Sequence, residues 1–183
     1  MKKYLYLVAI ALVSCGAVLS SCSDDKISGD SIFSTKAVER NAFDQWLYKN
    51  YTMPYNIDFQ YRLKTEETEQ AYNFVPADSA KTVKLAILTK YMWFDAYAET
   101  VGLDFIKENA PRIILVTGTP GYTRYRTEVI GSAEGGYKVR LGKVNALTDD
   151  QLKDYGSMNN YYFHTMHHEF MHILNQKKPY DES

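Results

Sequence analysis

Between Tyr161 and Gln176 the chain reads YYFHTMHHEFMHILNQ, and His168, Glu169 and His172 within it form the pattern H-E-x-x-H. On a helix, two histidines four apart share a face and lie about 6 Å apart along the axis, so both imidazoles can reach a single ion. An imidazole pair suits zinc, and the glutamate that follows the first histidine falls beside the metal. A zinc ion held there lowers the pKa of its bound water to roughly 7. Glu169 is then placed to take a proton from that water and pass it to a leaving group. The chemistry is hydrolysis, with His168 and His172 as metal ligands and Glu169 as general base. The competing explanation of the same residues is a structural histidine pair.

A ligand pair has to face a cleft while the far side of its helix packs into a core. Phe163, Met166, Phe170, Ile173 and Leu174 recur at helical spacing and centre opposite the two histidines at about 100° per residue. His164 falls on the ligand side, but about 12 Å of helix separates it from His172, too far for both to bind one zinc at about 2.1 Å. It reads as a rim residue, and His167, turned about 100° from His168, as a solvated or hydrogen-bonded side chain. Catalytic zinc takes three protein ligands. The glycine and third histidine that follow H-E-x-x-H in metzincins are replaced by Asn175 and Lys178, which leaves a downstream carboxylate: Asp181, Glu182 or a residue beyond Ser183. Lys177-Lys178-Pro179 ends the helix close to the last residue, so the chain is expected to be C-terminally incomplete, without the subdomain that walls the cleft from below. Tyr155 and Tyr180 are candidates for stabilising an oxyanion.

The elements that must position this helix can be read from periodicity and punctuation. Val38, Ala42, Trp46 and Leu47 share a face of a helix running from Thr35 to about Asn50, which Pro54 keeps from continuing. Tyr55 to Leu63 alternates apolar with polar, as a strand with one buried face does. Asp78 or Ser79 caps a long helix to about Thr100, with apolar positions at Val83, Ile87, Tyr91, Phe94 and Ala98, and Gly102 closes it. Arg112 to Thr117 reads as a buried strand, and Thr127–Ser132 and Tyr137–Leu141 as a pair of strands around a turn with Gly135 and Gly136. Thr148-Asp149-Asp150 reads as the N-cap of a short helix before the H-E-x-x-H helix. The order predicts an α+β fold.

The first residues, MKKYLYLVAIALVSCGAVLSSC, join two lysines to an apolar run ending in Leu19-Ser20-Ser21-Cys22. That is the pattern of a bacterial lipoprotein signal peptide over 1–21, with Cys22 as the lipidated residue and 22–34 as a polar tether. A rival cleavage point before Cys15 would shorten the apolar run. With Cys15 and Cys22 in the signal region, no thiol remains for a disulfide or a zinc ligand. The remainder, 35–183, is one domain by size. The chain's 45% hydrophobic residues are enough for a core, and its net charge of −1 with scattered cations offers no footprint for nucleic acid.

The lipobox, the Pro54-Tyr55-Asn56-Ile57 opening of the first strand and above all His168 through Gln176 resemble the zinc-binding metallopeptidase lipoproteins associated with nutrient-import systems in Bacteroidetes. The resemblance spans nearly the whole chain. It implies a zincin-like fold, in which a small twisted sheet packs against a long helix and the metal helix. It also implies a Zn2+-dependent metallohydrolase, anchored by lipid in the outer membrane beside glycan or peptide import machinery, and leaves the substrate open. A peptide or protein substrate is expected instead from Glu169 beside the histidine pair and from a sheet edge that can receive an extended peptide. The acidic pair Asp24-Asp25 after Cys22 resembles a surface-export signal. A second class of function is a non-catalytic lipoprotein that keeps the scaffold and captures nutrients, which the 16 tyrosines are compatible with. Glu169 favours the enzyme, since a site that only binds has no use for a general base.

Overall fold

A computed structural model describes residues 39–64, 68 and 71–178. Cys22, Val38, Tyr180, Asp181 and Glu182 therefore lie outside the described residues. The unit 40–183 is a mixed α+β structure built on a four-stranded sheet.

The first helix, α1 (42–55), starts at Asn41, whose side chain accepts from the Asp44 N–H while Asp44 returns to the Asn41 N–H. This reciprocal cap sets the start at Ala42, later than Thr35. Pro54 does not end the helix at Asn50. A π-turn over Tyr48–Thr52 precedes it and widens the backbone, so the ring is carried into a last turn, Met53–Tyr55. Asn56, at φ 56°, then reverses the chain into β1, Asp58–Gln60. The strand expected over Tyr55–Leu63 is thus only its centre, because Tyr55 reaches the core from the helix end.

Asp78 caps α2 (79–101) by accepting from the Lys81 N–H, and Gly102 closes it at φ 98°. Its inward face is Thr82, Leu85, Ala86, Thr89, Trp93 and Phe94; Ile87 and Tyr91, which were expected to be apolar contacts, are exposed. A second π-turn, Lys90–Asp95, sits in its middle. After α3 (Leu103–Asn109) the chain enters β2, Ile113–Val116. A small hairpin follows, β3 (Gly121–Tyr122) with β4 (Glu128–Val129), then β5 (Gly131–Glu134) and β6 (Lys138–Leu141). The segment expected as one strand over Thr127–Ser132 is broken at Ile130 between two sheets, while the Gly135-Gly136 turn forms as expected, with φ of 57° and 70°.

The sheet order is β1-β2-β6-β5, parallel except for the antiparallel β5 at the edge. Phe59, Ile114, Val116, Val139 and Leu141 point from it into the core shared by the helices. On the opposite face Arg140 is buried, with its guanidinium 4.6 Å over the Phe74 ring and Nη1 reaching the carbonyls of Val129 and Ile130. Thr148 and Gln151 form a capping box for α4 (Asp149–Lys153). The last helix, α5 (155–177), holds a third π-turn, Asn159–Phe163, directly before His164–Lys177. Among the described residues no helix is long and apolar enough to cross a membrane.

Candidate metal centre

Phe163, Met166, Phe170 and Ile173 are buried, and together they fix which way α5 turns. Phe170 is the anchor: its ring stands edge-on to Trp93 and Tyr97 of α2, at 5.5 and 5.1 Å, and to Phe105 of α3 at 6.3 Å. Edge-to-face contacts of this kind have a preferred geometry, so they hold the helix in rotation as well as in position. At its far end Lys177 donates to the carbonyls of Glu108 and Asn109, which close α3. Gln176 packs on the Gly135-Gly136 turn.

With that face pinned inward, His164, His168 and His172 come out on the exposed side. The Nε2 atoms of His168 and His172 lie 3.0 Å apart. Two ligands of one tetrahedral zinc, each at about 2.1 Å, are about 3.4 Å apart, so the pair needs only a small side-chain adjustment to share an ion. His164 stays at the rim, its ring 6.1 Å from that of His168. His167 turns away and lies half-buried, with Nδ1 3.3 Å from the Tyr97 hydroxyl. Burial, with a smaller contribution from His164, lowers its pKa below the usual imidazole value. Its role is to tie α5 to α2.

Glu169 is half-buried between the histidine face and the sheet edge. The close approach of β5 puts it there. A Cβ added at Gly131 would come within 2.2 Å of Thr165 Cγ2 and 3.4 Å of Glu169 Cγ, so only glycine lets the first residue of the edge strand lie against the metal helix at this point. Nothing in the local sequence around Gly131 signals this, because its partners lie a hairpin and a helix further on. Tyr155 is exposed, its ring tilted against that of Phe163 at 6.1 Å. Among the described residues no third His, Cys, Asp or Glu joins His168 and His172. The donor set present therefore fits two positions of a zinc site, with a carboxylate at the helix flank.

Residues 36–183 match the sequence model of the family described as "Putative zinc-binding metallo-peptidase". Among solved structures, the chain is similar to the crystal structure of a putative zinc-binding metallo-peptidase from Bacteroides caccae, at 44% identity and a TM-score of 0.59. The similarity covers 83% of this chain and 57% of that one, so this chain spans little more than half the length of its neighbour. No match is found among curated proteins.

Proposed function

This chain belongs to the family of putative zinc-binding metallo-peptidases, and from that premise we propose that it is a zinc-dependent metallohydrolase acting on peptides. The observation that carries the reading is the convergence of the His168 and His172 Nε2 atoms to 3.0 Å on the exposed face of a helix whose other face is locked in the core. His168 and His172 would hold a zinc ion there, which would supply Lewis acidity to a bound water and to the substrate carbonyl. Glu169, one residue along and half-buried against Gly131, accepts the proton of the attacking water and returns it to the leaving nitrogen. Packing of its Cγ against Gly131 on the sheet side limits the directions its carboxylate can take. A third ligand, Asp or Glu, comes from outside the described residues in this reading.

Substrate placement follows from the sheet. Strand β5 pairs with β6 on one side only among the described residues, so its outer edge offers backbone N–H and C=O groups to an extended peptide. Because Gly131 begins that strand, the peptide would pass Glu169. The lipid anchor at Cys22 belongs to the same proposal and is supported by the signal-peptide pattern of the first 22 residues, whereas the outer-membrane location and service to import machinery are supported by the family resemblance alone. Glu169→Gln tests the chemistry, since the amide keeps shape but cannot accept the proton. The variant should retain stoichiometric zinc by metal analysis and lose about 10²–10⁴-fold in peptide hydrolysis. Undiminished turnover with zinc in place refutes the general base.

A further inference from the structure

A cationic and aromatic hairpin arm joins the edge strand β5 through a single residue, Ile130. In it β3 and β4 pair Gly121 with Val129 and Tyr122 with Glu128. The tip is closed by the Thr123 N–H donating to the Thr127 carbonyl and the Arg126 N–H to the Thr123 carbonyl, at 3.0 and 2.8 Å. Arg126 takes the left-handed conformation, φ 62°, that lets so short a loop reverse. Arg124 and Arg126 are exposed there, and Tyr122 and Tyr125 are 52% and 75% exposed. The Arg124 guanidinium lies 4.6 Å over the Tyr125 ring. Neither arginine meets a carboxylate among the described residues, and the arm's own carboxylate, Glu128, is already engaged by Lys143. The tip therefore carries uncompensated positive charge on a chain whose net charge is −1.

The arm is fixed relative to the metal centre at two points. Only Ile130 separates β4 from β5, whose first residue packs on Thr165 and Glu169. Lys143, paired with Glu128, also lies 5.0 Å over the ring of Tyr161, about two turns before His168 on α5. A peptide extended along the edge of β5 and continuing past Gly131 would thus pass the base of the arm, whose Arg126 precedes Gly131 by five residues in the chain. At about 3.3 Å per residue Arg126 would be met roughly four to six residues from the bond beside Glu169.

Resting on the metallopeptidase reading, we propose that this arm selects acidic peptides, with Arg124 and Arg126 gripping Asp or Glu side chains at that distance from the cut. A planar guanidinium accepts a carboxylate bidentately, and the Tyr125 ring under Arg124 holds its plane for the purpose. Both contacts are exposed, so together they should be worth about five- to tenfold in affinity.

The experiment measures binding without cleavage. Fluorescein-labelled peptides of about ten residues, one neutral and one identical but for two Asp at one end, are titrated by anisotropy into the zinc-loaded Glu169→Gln chain; the span is set by extended-strand reach. The acidic peptide should bind about five- to tenfold tighter, and the gap should close when salt is raised from about 50 to about 500 mM. Arg124→Ser with Arg126→Asn should abolish the preference while leaving the neutral peptide unaffected; Asn suits the left-handed position. Equal binding of the two peptides, or a preference that survives in the double variant, overturns the proposal. If the unsubstituted chain hydrolyses neither peptide while the acidic preference holds and is lost in the double variant, the arm stands and the metallopeptidase reading falls.

Discussion

Removing either converging imidazole separates ligand from scaffold. His168→Ala and His172→Ala should each lower zinc affinity by more than the ~10–100-fold that loss of a supporting residue costs, because one protein nitrogen then remains of the described pair. Competition against a chromophoric chelator measures it, and a variant that keeps full zinc removes that histidine from the site. The converging histidine pair and Glu169 are legible in the sequence because an i, i+4 spacing on a helix is a purely local signature. The contact that keeps His167 out of the cleft is not. Its partner Tyr97 stands on another helix, 70 residues away in the chain, and nothing near either residue announces the pairing. Gly131 is similar: a glycine before an edge strand suggests a bulge or a turn, and only the packed helix reveals that Thr165 occupies the space where a Cβ would be.

That contact sets the distance between two elements, strand and metal helix, so it can be tested at their scale. Gly131→Ala forces Cβ against Thr165 Cγ2 and should cost roughly 1–3 kcal/mol of stability. Pushing Glu169 aside by about 1 Å would lower hydrolysis by up to about 10²-fold. Thr165→Ser removes the clashing methyl and should restore most of both losses in the double variant, as read by denaturant unfolding and peptide turnover. Failure of that rescue would show that the clash is not what spaces the two elements. Element boundaries fixed by local hydrogen bonds, the Asp78 and Thr148 caps and the Gly135-Gly136 turn, could be read directly. Those set by tertiary packing could not. The alternation from Tyr55 to Leu63 suggests one long strand, yet Tyr55 reaches the core from a helix end and Phe59 from a three-residue strand. Along α2 two threonines, Thr82 and Thr89, lie inward while Ile87 and Tyr91 face out, so polarity alone misassigns the buried stripe.

For the molecule as a whole, the sequence of its first residues makes a claim that folding does not touch. Cys22→Ala should abolish incorporation of radiolabelled palmitate and release the protein from the membrane fraction or leave it unprocessed. Label lost instead in Cys15→Ala would move the mature start to Cys15. The mixed architecture could be read from the order of helical and alternating segments, and the sheet order β1-β2-β6-β5 could not, since parallel pairing joins β1 to β2 across the whole of α2 and α3. Each of the three long helices also carries one π-turn: Tyr48–Thr52, Lys90–Asp95 and Asn159–Phe163. Such a turn holds one residue more than an α-helix needs for the same rise. In a gene this is a single inserted codon, absorbed without breaking the helix. A relative one codon shorter within 159–163 would keep His164–Lys177 intact but rotate everything upstream on that helix by about 100°. Tyr155 would then swing to a different side of the helix relative to His168 and His172, so single-codon length differences in this stretch are a route by which related proteins can change which side chains flank the histidine pair while leaving that pair in place.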